Sequence, residues 1–265
     1  MEKVARNVQS DGIIIDLDGT VYKGRQEIEG AAAAIDYLRS RGKRLAFLSN
    51  RGNISRTMCC EKLAGMGIRV EAQEVLLTST VTAMYLSEHH PGCKVWVLGE
   101  QGLVDELLLA GLMLADEPEQ AEWLVITLHE SLTYRDLNMA FRAVRGGARI
   151  IATNADRTFP GDDGDAIDVA GMIGAITNST GREVEIVIGK PSRYMSEAAL
   201  RLLDVPAERC LIVGDSLESD IGLGKASGMQ TALVLSGSTK REQLEAVKDQ
   251  PDWVWDSLAD IVDYL

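Results

Sequence analysis

The sequence predicts an α/β protein: a Rossmann-like parallel sheet covered by helices on both faces, with a smaller α/β domain inserted into it. Three observations carry this expectation. Short β-branched apolar runs alternate with helical stretches along nearly all of the 265 residues, which is the pattern of βαβ units and parallel sheets. Runs near 13–17, 45–49, 186–190 and 210–215 end in chemistry-bearing residues, whereas those of the middle third mostly do not. An open α/β sheet gathers its chemistry at the carboxyl ends of its strands, so the economical arrangement is one sheet built from both ends of the chain. Its expected parts are 1–79 and 183–265, with 80–182 as the inserted domain.

The first strand is Ile13-Ile14-Ile15, and it stops at Asp16-Leu17-Asp18-Gly19-Thr20. Alternate residues of an extended chain face the same side, so Asp16 and Asp18 can address one site. After a polar connection, an Ala-rich helix is expected over 29–40, ended by Gly42. A second buried strand over 45–48 runs into Ser49-Asn50-Arg51-Gly52. Ser55 is placed to cap a helix that reaches Gly65, and Thr78-Ser79-Thr80 precedes another over 81–89.

The middle third reads as strand 93–98, a helix to 109, strand 123–128, helix 134–144 and strand 149–153. Residues 154–168, rich in Asp, Gly and Pro, read as a loop longer than most connections and so a candidate for function. A small-residue helix over 170–180 is expected to be broken by Gly171 and Gly174. The last third opens with strand 185–188 and Gly189-Lys190-Pro191, then helix 192–203. Strand 210–213 ends in Gly214-Asp215-Ser216, followed by helix 218–227, strand 231–235, and a tail with a short strand and helix over 253–265.

An apolar fraction of 46% and a charged fraction of 25% are those of an ordinary soluble globular protein. A formal net charge of −13 speaks against a nucleic-acid partner and requires local cations at any phosphate site. No run is long enough to cross a bilayer, and no signal peptide is expected from the polar stretch 1–10. Cys59, Cys60, Cys93 and Cys210 lack CxxC spacing and read as small hydrophobes in a reducing compartment. A cytoplasmic protein is expected.

If the four strand ends converge, one site holds Asp16, Asp18, Ser49, Asn50, Lys190, Asp215 and Asp220. Clustered carboxylates repel one another unless a cation neutralises them, and an all-oxygen ligand set suits Mg²⁺. Mg²⁺ and Lys190 together would offset the charge of a phosphoryl group. Ser49 and Asn50 offer hydrogen bonds to its oxygens, with helix N-terminal N–H groups behind them. Asp16 can act as nucleophile through an aspartyl-phosphate, and Asp18 as the acid, then base, that serves the two half-reactions. Asp220 also reads as a residue that stabilises a helical first turn, and Arg51 as either a phosphate ligand or a surface ion-pair partner. His129 reads as a satisfied structural histidine, Thr153–Asp156 as a turn, and Trp96 and Trp123 as core.

These stretches resemble the haloacid-dehalogenase-like phosphatases. The first motif of that family, Asp-x-Asp-Gly-Thr, matches Asp16–Thr20; the second, a Ser or Thr closing a strand, matches Ser49. The lone Lys of the third matches Lys190, and Gly-Asp-x-x-x-x-Asp of the fourth matches Gly214–Asp220. The resemblance implies Asp16 as nucleophile and, with the Asp18 backbone carbonyl and Asp215, as Mg²⁺ ligand. It implies that Ser49, Asn50 and Lys190 hold the phosphoryl group, and that Asp220 supports the metal.

The insertion between the second and third motifs is similar to the α/β cap (C2 type) of the subgroup that holds N-acetylglucosamine-operon, nitrophenyl, pyridoxal and phosphoglycolate phosphatases. Leu48–Arg56, Trp96–Gly102 and Asp168–Ile176 resemble the sugar phosphatases of that subgroup. The chain departs from it at Arg51, where many members carry a second Asn, and at Asp168-Val169, where many carry Pro-Gly. Asp168 is accordingly a candidate for substrate contact.

A Mg²⁺-dependent phosphatase for small monoesters, sugar phosphates first, is therefore expected, with a homodimer through the cap implied by resemblance. The rivals are a phosphatase for another small metabolite, a phosphotransferase or mutase, and a non-catalytic phospho-acceptor switch. Asp18 and a large cap speak against the switch, which needs no lid to exclude water.

Overall fold

The computed structural model describes residues 8–161, 164–247 and 249–265. The chain separates into two compact units. The first comprises the described residues of Met1–Ser49, Cys60–Leu76 and Lys190–Leu265; the second comprises those of Asn50–Cys59 and Leu77–Gly189.

A six-stranded sheet forms the heart of the first unit, in the order Trp253–Trp255, Gln230–Val234, Cys210–Gly214, Gly12–Asp16, Arg44–Ser49, Val75–Leu77. The strand Gly12–Asp16 is buried at all five residues and pairs in parallel with Cys210–Gly214 on one side and Arg44–Ser49 on the other. Its apolar run has no polar alternation because both faces are covered, as parallel sheets require. The helix Ala31–Ser40 shows how the cover is made: Ala31, Ala34, Ile35 and Leu38, at helical spacing, turn one stripe into the core.

Chain order in this sheet runs outward in both directions from Gly12–Asp16. The first strand is therefore a topological switch point, the place where connections diverge and leave a crevice at the carboxyl ends. Register puts Asp16 opposite Leu48 and Ile15 opposite Val213. Asp16, Ser49 and the Gly214-Asp215 turn consequently end side by side.

The second unit carries a five-stranded parallel sheet, ordered Ile186–Val187, Arg149–Ala152, Trp123–Ile126, Lys94–Leu98, Met113–Leu114. Its core gathers Leu124, Ile126, Ile150, Val144, Met172 and Ile176 from the sheet and the helices Tyr134–Gly146 and Val169–Thr180. Thr133 starts the first of these helices with a capping box: Asp136 Oδ2 accepts from the Thr133 N–H at 2.9 Å.

Several expectations need correction. The strand near 186–190 joins the second unit's sheet beside Arg149–Ala152, not the first unit's. Its apolar run fits either sheet, and pairing with Arg149–Ala152 leaves Lys190 as the first residue back in the first unit. The second unit is thus wider than 80–182. Residues 154–168 are not a plain loop: Thr158–Gly161 and Gly164–Ile167 form an antiparallel hairpin. The helix Val169–Thr180 continues through Gly171 and Gly174. In place of a helix over 218–227 stand a wide π-type turn, Leu217–Ile221, and the short helix Gly222–Ala226. The short strands Val75–Leu77 and Met113–Leu114 and the small hairpin of Tyr22–Lys23 with Gln26–Glu27 were not expected.

Candidate active site

Four of the sequence candidates meet inside the first unit. Asp16 closes the central strand and is 5% exposed; Asp215 follows strand Cys210–Gly214 and is buried; Asp220 sits in the π-type turn and is 1% exposed. Carboxylate oxygens of these three acids lie within 4.8 Å of one another. Lys190 enters the same pocket of charge, its ammonium 2.5 Å from Asp16 Oδ1 and 2.7 Å from Asp220 Oδ1. The other Asp16 oxygen, Oδ2, accepts from the Thr20 hydroxyl at 3.1 Å.

The approach of these groups depends on missing side chains. A Cβ at Gly214 would fall on the Asp220 carboxyl group, and one at Gly19 would fall on that of Asp215. Gly19 also has φ of 85°, a conformation costly for a residue with a Cβ. Asp215 is held in turn by the segment after strand Gln230–Val234. The Ser238 N–H donates to Asp215 Oδ2, and the Thr239 N–H donates to its backbone carbonyl at 3.2 Å. Asp220 Oδ2 accepts from the Ser216 N–H at 3.1 Å. Asp220 therefore orders a turn with one oxygen, as one reading of its sequence position suggested, and meets Lys190 with the other, a contact the sequence did not suggest.

Burial is the largest influence on the Asp16 carboxyl and pushes its pKa well above the usual carboxylate range. Lys190 opposes that push, while Asp220 and Asp215 add to it. Asp215 is raised as well, by burial first and by Asp220 next, with the Ser238 N–H pulling it down. For Lys190, burial favours the neutral amine, but the Asp16 and Asp220 carboxylates outweigh it and hold the proton on more firmly than usual. Three carboxylates against one ammonium leave excess negative charge in a buried space, which a hard divalent cation with oxygen ligands would neutralise. The donor set fits such an ion.

Asp18 stands two residues beyond Asp16, and its Oδ2 accepts from the Tyr22 hydroxyl at 2.9 Å. Ser49 is the last residue of its strand, one past the residue opposite Asp16, and is 2% exposed.

Asn50, Arg51 and Asp168 belong to the second unit. The Asn50 side-chain amide donates to Asp156 Oδ2 at 3.0 Å, and the Asn50 backbone carbonyl accepts from Thr78 Oγ1 and Asn154 Nδ2, each at 2.8 Å. Asp168 is buried and caps helix Val169–Thr180, its Oδ1 accepting from the Val169 N–H at 2.7 Å. Burial first, and Asp156 against the pull of the Val169 N–H and Arg51, raises its pKa to about 6. His129 is satisfied by Glu100, 2.9 Å from Nδ1.

Sequence reasoning missed three contributors. Thr20 lies inside the recognised motif but had no role until its bond to Asp16 appeared. Tyr22 and the Ser236-Gly237-Ser238 turn carried no signal beyond a polar connection, because what matters is where the folded chain returns them. A Cβ at Gly237 would fall on the Asp215 carboxyl group.

A parallel sheet with a buried Asp–Lys–Asp–Asp cluster at its switch point suits the binding of a divalent cation and a phosphoryl group. The chain belongs to the haloacid dehalogenase-like hydrolases and is a phosphatase of that family: the family model matches residues 13–113, and a second, HAD-hydrolase-like model matches 187–261. Among similar proteins, the sugar-phosphatase AraL of Bacillus subtilis is 58% identical over 96% of this chain and 93% of its own length. An acid sugar phosphatase of Staphylococcus saprophyticus is 34% identical over 95% of this chain and 96% of its own. Among solved structures, the p-nitrophenyl phosphatase from Archaeoglobus fulgidus superposes with a TM-score of 0.91 at 37% identity, covering 97% of this chain and all of that one (100%). Membership of a hydrolase family sets aside the non-catalytic switch. Among the described residues, no helix is long and apolar enough to cross a membrane.

Proposed function

We propose that the protein hydrolyses small sugar phosphates in two steps through an aspartyl-phosphate on Asp16, and turns over p-nitrophenyl phosphate as well. The observation that carries this reading is the convergence of Asp16, Lys190, Asp215 and Asp220, with Asp18 one alternate position along the chain. The sugar specificity draws support from the 58% identical sugar phosphatase.

Asp16 attacks phosphorus; each carboxylate oxygen has a second lone pair beyond the one facing Lys190 or Thr20. Asp18 gives its proton to the departing ester oxygen and then takes one from the water that releases phosphate. Lys190 holds Asp16 in place and meets the negative charge of the phosphoryl oxygens, while Ser49 offers them a hydrogen bond. Asp16, Asp215 and the Asp18 backbone carbonyl would hold Mg²⁺, with Asp220 supporting. When bound, the ion neutralises the charge of the transferring phosphoryl group. Arg51 as a phosphate contact and Asp168 as a substrate contact are proposed at the two positions where the chain departs from the family pattern; Asn50 as a phosphate contact rests on that pattern. So does a homodimer formed through the second unit. The cysteine pattern supports a cytoplasmic location.

The test is phosphate release from a panel of sugar phosphates, p-nitrophenyl phosphate, phosphoglycolate and pyridoxal phosphate with Mg²⁺, on wild type beside Asp16→Asn. Sugar phosphates hydrolysed fastest, and by wild type alone, are the expected result. A clear preference for another ester would replace the substrate while keeping the reaction; release by Asp16→Asn at the wild-type rate would overturn the nucleophile.

A further inference from the structure

We infer that Tyr22 is a positioning residue for Asp18: its hydroxyl, on a ring held by Lys62, fixes which carboxyl oxygen delivers the proton to the leaving group. This rests on the acid role proposed for Asp18 and adds residues that the role alone does not include.

Tyr22 is fully buried and stands four residues past Asp18 in a loop that closes on itself. The Leu17 carbonyl accepts from the N–H groups of Thr20, Val21 and Tyr22, at 3.2, 2.8 and 3.1 Å, and the Tyr22 carbonyl accepts from the Gly19 N–H at 2.8 Å. The loop turns the ring back along its own course, so that the phenol donates to Asp18 Oδ2 at 2.9 Å. Helix Arg56–Gly65 brings the Lys62 ammonium to 3.6 Å from the ring centroid. A cation over the ring face attracts it electrostatically, anchors it, and draws density from the phenol, which makes the hydroxyl a better donor.

The chemical consequence concerns one proton. A protonated Asp18 whose Oδ2 accepts from Tyr22 carries its acidic hydrogen on Oδ1. In the first step a bond forms from an Asp16 oxygen to phosphorus and the ester P–O bond breaks. The electron pair left on the ester oxygen takes the Oδ1 proton, and the resulting Asp18 carboxylate keeps its bond from the Tyr22 hydroxyl. In the second step water bonds to phosphorus, its proton passes to Asp18, and the Asp16–phosphorus bond breaks. Fixing one oxygen leaves the carboxyl a single productive orientation, and orientation of this kind is worth rate. The benefit depends on the leaving group. A sugar oxygen cannot depart without a proton, whereas p-nitrophenolate departs as the anion.

The discriminating measurement is kcat/KM, which reports the first step alone, for a hexose phosphate and for p-nitrophenyl phosphate. Tyr22→Phe keeps the ring and its contact with Lys62 while removing the hydroxyl. It should lower kcat/KM roughly tenfold on the hexose phosphate and leave the aryl ester within about twofold. An equal fall on both esters, or none on either, would overturn the inference. Asp18→Asn is run beside it. If that variant loses the same factor on both esters, the acid role itself fails and the inference with it, a result distinct from a failure of Tyr22→Phe alone. Lys62→Met, which retains Tyr22, carries the same test should Tyr22→Phe fold poorly. A smaller loss confined to the hexose phosphate supports the inference, and no loss overturns it.

Discussion

Lys190 links two of the buried acids at the site. Its ammonium touches Asp16 and Asp220 at once, and all three are buried. Removing one partner from a buried ion pair leaves uncompensated charge, at a cost of several kcal/mol. Lys190→Met should therefore lower the unfolding free energy by about 3 kcal/mol in denaturant titrations at neutral pH, as well as abolishing turnover. An unchanged midpoint would mean that the carboxylates are neutralised in some other way. Asp168 tests a different residue-scale claim. Its pKa is raised from near 3.8 to about 6, so the folded state holds that proton more tightly than the unfolded chain. The resulting stabilisation is complete below about pH 4 and lost as pH rises through about 6. Asp168→Asn keeps an oxygen for the Val169 N–H but cannot titrate. Wild type should thus lose about 1–2 kcal/mol relative to the variant across that window, after allowance for solvent screening. Parallel stability profiles would contradict the raised value.

At the scale of elements, the strand ends were legible, and so was the common sheet of three of the four, since 13–17, 45–49 and 210–215 lie side by side. Ile13–Asp16 and Asp215 could be read because β-branched runs that stop at acids and glycine carry both periodicity and chemistry. Ile186–Val187 could not be assigned to a sheet, because the same apolar run ending in Gly189-Lys190 suits a strand of either unit. The hairpin over 158–167 was hidden by its own Pro160, Gly161 and Gly164, residues that ordinarily mark loops. Tyr22 was invisible for a further reason: its loop depends on backbone bonds to Leu17, which leave no side-chain pattern. The turn after strand Cys210–Gly214 offers an element-scale test. Gly214→Ala would drive a Cβ into the Asp220 carboxyl group, and overpacking of that kind costs about 1–3 kcal/mol. A lower melting temperature and a loss of activity are expected together. Wild-type values for both would show that the π-type turn can move aside.

For the whole molecule, charge is the organising fact. A chain with a formal net charge of −13 binds a phosphorylated substrate only if its site is locally cationic, and the buried acids around Lys190 supply ligands for the ion that would make it so. Protons and Mg²⁺ compete for Asp16 and Asp215, whose carboxyls are both raised. Mg²⁺ should then raise the melting temperature by several degrees at about pH 7.5, and by much less at about pH 5. Equal shifts at both values would remove these carboxylates from the metal site. The central claim, covalent catalysis by Asp16, is tested most directly by acid-quenching the enzyme during turnover of a sugar phosphate with Mg²⁺ and mapping the adduct by mass spectrometry. A phosphoryl group on the peptide that holds Asp16, absent from Asp16→Asn, is the predicted result. A phosphoryl group on any other residue, or none in an enzyme quenched at full turnover while Asp16→Asn still releases phosphate, would contradict it.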